Sequence, residues 1–189
     1  MSESTQAQTP PENIVLIGFM GSGKSTIGRL VGRRLRFQFL DTDHLVADRA
    51  RMTIPEIFEK HGEEYFRERE TSVLSSLLGV KRHVFATGGG IVTLPRNFPL
   101  LRSLGLVVLL SADPEEIYRR VSRNADRPLL QVENPKERVL EMMAARRASY
   151  EEAAQFEVNT TTLRHDEVAT IIINEARRVF GWPEPAKAR

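Results

Sequence analysis

Ile14-Val15-Leu16-Ile17 runs directly into Gly18-Phe19-Met20-Gly21-Ser22-Gly23-Lys24-Ser25-Thr26, and no other stretch of the chain constrains its fold as tightly. An unbroken apolar run of this length reads as a short strand buried on both faces. The segment after it fills every fixed position of G-x-x-x-x-G-K-[ST], and Ile27-Gly28-Arg29-Leu30-Val31 continues with the spacing of a helix packed on a sheet. Strand, glycine loop, helix is the context in which that pattern carries meaning. Glycines let successive N–H groups point inward around a phosphate chain, and the helix N-terminus adds positive potential. Gly21, Ser22, Gly23, Lys24, Ser25 and Thr26 are therefore candidate nucleotide-binding residues. Lys24 would reach the β- and γ-phosphates and the Ser25 hydroxyl would ligate Mg²⁺. A nucleoside triphosphate is the expected ligand. A dinucleotide fingerprint is the nearest competitor, because Asp41 lies where a ribose-binding acid would sit. That fingerprint needs a third glycine, and Gly21-x-Gly23 is followed instead by Lys24-Ser25-Thr26.

At 189 residues the chain fits one domain able to bury a core without covalent staples. It has no cysteine, which excludes disulfides, thiolate zinc sites and thiol chemistry. A formal charge of +2 with 28% charged residues is near balance, and no basic cluster suggests a nucleic-acid partner. The polar stretch 1–12, with Pro10-Pro11, lacks the pattern of a signal peptide and is expected to be a disordered lead-in. Residues 181–189 are expected to form a loose, proline-punctuated tail. No apolar run approaches the length of a membrane span, so a cytoplasmic location is expected.

Between these tails, residues 13–180 read as a single domain in which strands and helices alternate. That pattern argues for an α/β fold with a parallel sheet covered on both faces. Strands are expected at Ile14–Gly18, Phe37–Asp41, His83–Thr87, Leu106–Ser111 and Phe156–Asn159. Helices are expected at Lys24–Arg34, Glu63–Leu78, Pro114–Ser122, Pro135–Tyr150 and Asp166–Phe180. Thr53-Ile54-Pro55-Glu56 offers a capping box, and Pro114 and Pro135 suit first helical turns. Two segments interrupt the alternation. Residues 42–78 hold two or three helices where one crossover would suffice, and 122–134 is a polar stretch between two helices. Either is an ordinary excursion or, in a nucleotide enzyme, a substrate platform (about 42–70) and a lid (about 122–134).

Asp41-Thr42-Asp43 ends the second strand, on the edge where open parallel sheets bind ligands. One carboxylate can hold Mg²⁺ through water while the other accepts a proton from an attacking hydroxyl. Asp43 equally suits a helix N-cap. Gly62-Glu63-Glu64-Tyr65-Phe66-Arg67-Glu68-Arg69-Glu70 reads as a charged amphipathic helix with Glu63 and Arg67 paired at i,i+4. Gly88-Gly89-Gly90 ends a strand and forfeits side-chain packing, so either a close approach, such as a substrate lying on the backbone, or a bare turn must account for it. Arg127 precedes a rigid proline in the second insertion, and Arg146-Arg147 sits near a helix C-terminus.

In order and spacing, from about Asn13 to Asn159, these segments resemble the shikimate kinase family. The resemblance rests on the 18–26 loop, Asp41-Thr42-Asp43, Phe58 through Gly62-Glu63 to Phe66-Arg67-x-x-Glu70, Gly88-Gly89-Gly90, Arg127-Pro128-Leu129-Leu130 and Arg146-x-x-x-Tyr150. It implies a P-loop three-layer sandwich of the nucleoside monophosphate kinase type, with a five-stranded parallel sheet, helices on both faces, a substrate-binding helical segment and a lid. It also implies transfer of the ATP γ-phosphoryl group to the 3-hydroxyl of shikimate, with one Mg²⁺, in aromatic amino acid biosynthesis, by a monomer. By position, Asp43 would bind the shikimate hydroxyls and act as base. Arg67 and Arg146 would clamp the carboxylate, and the four-residue spacing to Tyr150 selects Arg146 over Arg147. Gly88, Gly89 and Gly90 would support the ring, Arg127 would be the lid arginine, Ser25 the metal ligand and Asp41 its outer-shell holder. Arg120 would pack beside adenine. The loop 160–165 departs from the family pattern and is assigned no contact. A gluconate kinase would share the phosphate loop without repeating the acceptor set, and an ATP-sensing module would keep Lys24 and drop that set.

Overall fold

The computed structural model describes residues 12–123 and 133–183. The strands are β1 (Ile14–Ile17), β2 (Gln38–Asp41), β3 (His83–Ala86), β4 (Leu106–Ser111) and β5 (Phe156–Asn159). They form one sheet in the order β2-β3-β1-β4-β5, every pairing parallel. Central β1 is buried at all of its positions, whereas the edge strands β2 and β5 are mostly half-buried or exposed. This is why the first strand is the one whose sequence is apolar without interruption.

The helices are α1 (Lys24–Leu35), α2 (Thr42–Ala50), α3 (Ile54–Ser76), α4 (Asn97–Leu104), α5 (Pro114–Val121), α6 (Pro135–Ala153) and α7 (His165–Phe180). One face of the sheet packs on α1 and α7 through Ile14, Leu16, Ile27, Val31, Val108, Val168 and Ile172. The other carries Val15, Ile17, Phe85 and Val107 against α3, α4 and α6. Alternate residues of β1 thus serve different layers, as the strand period requires. The α/β sandwich expected from the sequence is the observed architecture. Among the described residues, no helix is long and apolar enough to cross a membrane.

Several boundaries differ from the expected ones, and one helix is new. Helix α3 is two helices end to end: the Thr53 capping box starts the first at Ile54, with Pro55 in its first turn, and the second starts at Glu63, as expected. The two meet at Gly62, whose φ of 79° and ψ of 178° are not helical. Glycine adopts that geometry without a Cβ penalty. Helix α4 and a 3₁₀ turn at Ile91–Thr93 follow the glycine run. That helix is not among the expected ones; Asn97, fully inside the core, bonds the Ile91 carbonyl and the Thr71 hydroxyl and anchors it. The N-cap of α2 is Asp41, not Asp43: Asp41 Oδ1 accepts the Asp43 N–H at 3.1 Å.

Candidate active site

β1 lies between β3 and β4, and the loop after it opens at the carboxyl edge of the sheet, where chain order reverses direction. Gly18, Gly21 and Gly23 of that loop all have positive φ, and Gly23 caps α1. Lys24 folds back over the loop, its Nζ donating to the carbonyls of Gly18 (2.7 Å) and Phe19 (2.9 Å). Ser22 is buried, while Ser25 and Thr26 begin α1. Ser25 Oγ donates to Asp41 Oδ2 at 3.0 Å. A hydroxyl and a carboxylate on a loop built for phosphates suit a hard cation such as Mg²⁺, which keeps waters and phosphate oxygens as its other ligands. Asp41 thereby ties the phosphate loop to the start of α2.

A second cluster of charged side chains beside this loop is assembled from four elements. Asp43 comes from the first turn of α2, Arg67 and Glu70 from α3, the three glycines from the end of β3, and Arg146 and Tyr150 from α6. Gly88 and Gly90 are glycines for reasons of contact: a Cβ at Gly88 would collide with the carboxylates of Asp43 and Glu70, and one at Gly90 with the Arg67 guanidinium. The close approach expected from the glycine run is therefore made first by the protein's own charged side chains. Neither glycine has a positive φ. Gly89 backs onto the phosphate loop, and its carbonyl accepts from Arg146 Nη1 (3.1 Å) and the Tyr150 hydroxyl (2.5 Å). Arg147 instead pairs with Glu151 in solvent, away from this cluster.

Arg67 is held on two sides. Nη1 donates to Glu70 Oε2 at 2.6 Å, and Nη2 and Nε donate to Glu63 Oε1 at 2.8 and 3.1 Å. The Glu70 side chain is fully buried, whereas that of Glu63 is mostly exposed. Burial pushes the Glu70 carboxyl up to about 7; Arg67 opposes the shift and Asp43 adds to it. Asp43 is also raised, by burial first and by Asp41 second, against the pull of Lys24 and Arg67. Burial disfavours the charged Arg67, but its two ion pairs outweigh that and raise its pKa. Asp43 Oδ1 and Glu70 Oε1 are buried without a hydrogen-bond partner among the described residues, and both face Gly88. Unpaired buried acceptors of this kind call for an explanation, and a ligand hydroxyl in the site supplies one.

Arg120 makes four contacts: Nε donates to Glu116 (2.7 Å), Nη2 to the Thr160 carbonyl (2.7 Å), and Nη1 to the Thr160 hydroxyl (3.0 Å) and, at 3.5 Å, to the Gly21 carbonyl of the phosphate loop. It thus bridges α5 to the loop after β5, in the segment that sequence reasoning left unassigned. Arg127 lies outside the described residues. Glu70 and Tyr150 are the functional candidates that sequence reasoning quoted without a role. Their only signal is spacing, Glu70 three residues after Arg67 and Tyr150 four after Arg146, which puts each on its arginine's helical face.

The family model described as shikimate kinase matches residues 20–177. A shikimate kinase of Caldanaerobacter subterraneus is 46% identical over 170 residues, covering 90% of this chain and 99% of that one. One from Geobacter sulfurreducens is 46% identical over 165 residues, covering 87% and 91%. Among solved structures, a shikimate kinase from Acinetobacter baumannii in complex with shikimate superposes with a TM-score of 0.82 at 39% identity, covering 92% of this chain and 95% of that one. With a family model over most of its length and relatives this similar across nearly all of theirs, the chain belongs to the shikimate kinase family.

Proposed function

We propose that this kinase transfers the γ-phosphoryl group of ATP to the 3-hydroxyl of shikimate, with Asp43, Arg67, Arg146 and the 88–90 turn forming the acceptor site. The observation that carries the assignment is the pair of partnerless carboxylate oxygens, on Asp43 and Glu70, meeting over Gly88 beside a phosphate-binding loop. A polyhydroxylated acid fits such a site: its hydroxyls satisfy the buried acceptors and its carboxylate meets the arginines.

Phosphoryl transfer needs alignment and charge neutralisation more than covalent help. Lys24 leaves the carbonyls of Gly18 and Phe19 for the β- and γ-phosphates, exchanging two neutral acceptors for charged ones. Gly21, Ser22, Gly23, Ser25 and Thr26 supply the loop and first-turn N–H groups. Mg²⁺, where bound, would offset charge on the phosphate oxygens, with Ser25 and, through water, Asp41 as the residues that hold it. Asp43 orients the acceptor hydroxyl and takes its proton at Oδ1. Its raised pKa makes it a stronger base than a solvated aspartate while leaving orientation its first task. Arg67 frees its Nε–Nη2 edge by releasing exposed Glu63 and stays anchored through buried Glu70; Arg146 binds from the opposite helix. Arg120 presents a fixed guanidinium face to the adenine, and Arg127, in the 122–134 lid, adds positive charge on closure and excludes water. The same reading makes the protein a cytoplasmic monomer that acts on small molecules rather than nucleic acid.

The test is ADP release from Mg-ATP with shikimate, with gluconate and with no acceptor. Saturable release with shikimate alone is expected. Equal release in all three would reduce the protein to an ATPase and remove the acceptor site.

A further inference from the structure

The three glycines of the acceptor turn do not hold their carbonyls in the same way. The Gly88 carbonyl accepts from the Ile91 N–H, and the Gly90 carbonyl from the N–H and hydroxyl of Thr93, all within the local 3₁₀ turn. The Gly89 carbonyl turns outward, and both of its lone-pair directions are filled from α6, by Arg146 and Tyr150. Three successive residues without side chains have nothing of their own to pack against neighbours, so hydrogen bonds alone fix the orientation of the Gly89–Gly90 peptide. Arg146 is the weaker restraint of the two, being longer at 3.1 Å against 2.5 Å, and it is the group proposed to turn toward the substrate.

We infer that Tyr150 is a positioning residue for acceptor binding: its hydroxyl locks the Gly89 carbonyl, and with it the Gly90 N–H and the resting place of Arg146. The residue is 5% exposed, so the hydroxyl has no bulk water to compete for it. Burial pushes its phenol up to about 12, and it remains an O–H donor through the range in which a kinase is assayed. The aromatic ring packs in the core layer under α6, so its removal and the removal of its hydroxyl are separable changes. Because Gly89 backs onto Met20 N and Gly18 O, the same carbonyl fixes the spacing between acceptor turn and phosphate loop.

The inference rests on the proposed acceptor site for its kinetic consequence but not for its structural one, and Tyr150→Phe tests both. In the free protein, amide hydrogen exchange over residues 88–91 should accelerate about tenfold or more, with the thermal midpoint within a few degrees of the parent. In the assay, the KM for shikimate should rise about tenfold, about the worth of one hydrogen bond. The KM for ATP should hold, and kcat should change by less than about threefold. Combining the change with Arg146→Ala should give less than the product of the single effects, because both side chains act on one carbonyl. Unchanged exchange at 88–91 overturns the inference whatever the kinetics. So does a parallel rise of both KM values with a lowered midpoint, which is the mark of a purely structural residue. If the parent enzyme shows no shikimate-dependent ADP release, the acceptor assignment fails, and the exchange result still decides the role of Tyr150.

Discussion

Lys24, in the phosphate loop, donates to two main-chain carbonyls, whereas Arg67, in the proposed acceptor site, donates to two carboxylates. The first arrangement is built from backbone and lies within one short stretch of sequence. The second is built from side chains brought together by β3, α2, α3 and α6. A hydrogen bond from a cation to a phosphate is stronger than one to a neutral carbonyl, so the two carbonyl contacts give way readily to incoming phosphates. A cation held by a buried glutamate leaves it only at the cost of a stranded charge or of a proton taken up in its place, so Arg67 is aimed rather than released. The phosphate half is thus adaptable and the acceptor half preset. The same contrast appears in the glycines: those of the loop carry positive φ, while Gly88 and Gly90 make room for carboxylates and a guanidinium.

The largest expected effect is on the acceptor side alone. Asp43→Asn keeps the shape and removes the proposed base, and should lower kcat about a thousandfold. ATP binding, measured by titration calorimetry, should be retained; a loss of ATP affinity would mean that Asp43 supports the loop, and the two halves would not be separable. A paired substitution sharpens the same division. Gly88→Ala has an ordinary backbone but meets Asp43 and Glu70, so the KM for shikimate should rise about thirtyfold at constant KM for ATP. Gly21→Ala, at φ 79° and against the Val121 side chain, should do the reverse. Steady-state kinetics on both variants decides the matter, and an exchange of the two patterns would dissolve the comparison.

How much of each half the sequence discloses follows from the same difference. The phosphate loop is contiguous, and its strand, glycines and helix are readable together, so the β1–α1 unit and its residues stand where expected. The sheet and most helices are legible for a similar reason, being periodic over short windows. Arg67 and Arg146 are locatable only through resemblance, because nothing in a charged amphipathic helix says which charge is turned inward. Glu70 is the clearest case: its neighbours Glu63, Glu64 and Glu68 look alike in sequence, yet Glu70 alone among them is fully buried. Helix α4 is not among the expected helices, and its anchor Asn97 is a polar residue whose burial depends on Ile91 and Thr71, which only the fold brings to it. Arg127 lies outside the described residues, and its role rests on the motif.

Burial of Glu70 makes the preset half pH-dependent. A carboxyl raised to about 7 in the folded state and lying near 4.3 when unfolded stabilises the protein most below the unfolded value. In that window the folded state binds more protons, so stability falls as pH rises from about 4.3 to about 7. Glu70→Gln has no proton to lose and should flatten this slope, with a difference from the parent of up to about 3 kcal/mol across the window. Urea midpoints between pH 4.5 and 8 measure it. Parallel curves for the two proteins would show that Arg67 keeps Glu70 ionised throughout, and the acceptor half would rest on a permanent ion pair.

The smallest expected effect lies outside both halves and separates functional left-handed backbone from incidental left-handed backbone. Arg36 (φ 55°) and Arg51 (φ 52°) end α1 and α2 in the conformation that the phosphate loop assigns to glycine. Both are exposed, and neither position touches the loop or the acceptor turn. A non-glycine residue there bears about 1–2 kcal/mol of steric cost, part of which glycine returns through the greater freedom of the unfolded chain. Arg36→Gly and Arg51→Gly should therefore each stabilise the protein by about 0.5 kcal/mol, raising the thermal midpoint by about 1–2 °C. Both KM values should be unchanged, since helix ends this far from the ligands set no geometry in the site. A shift in either KM would show that the C-terminus of α2 communicates with Asp43 at its first turn, and the acceptor half would then extend over the whole helix.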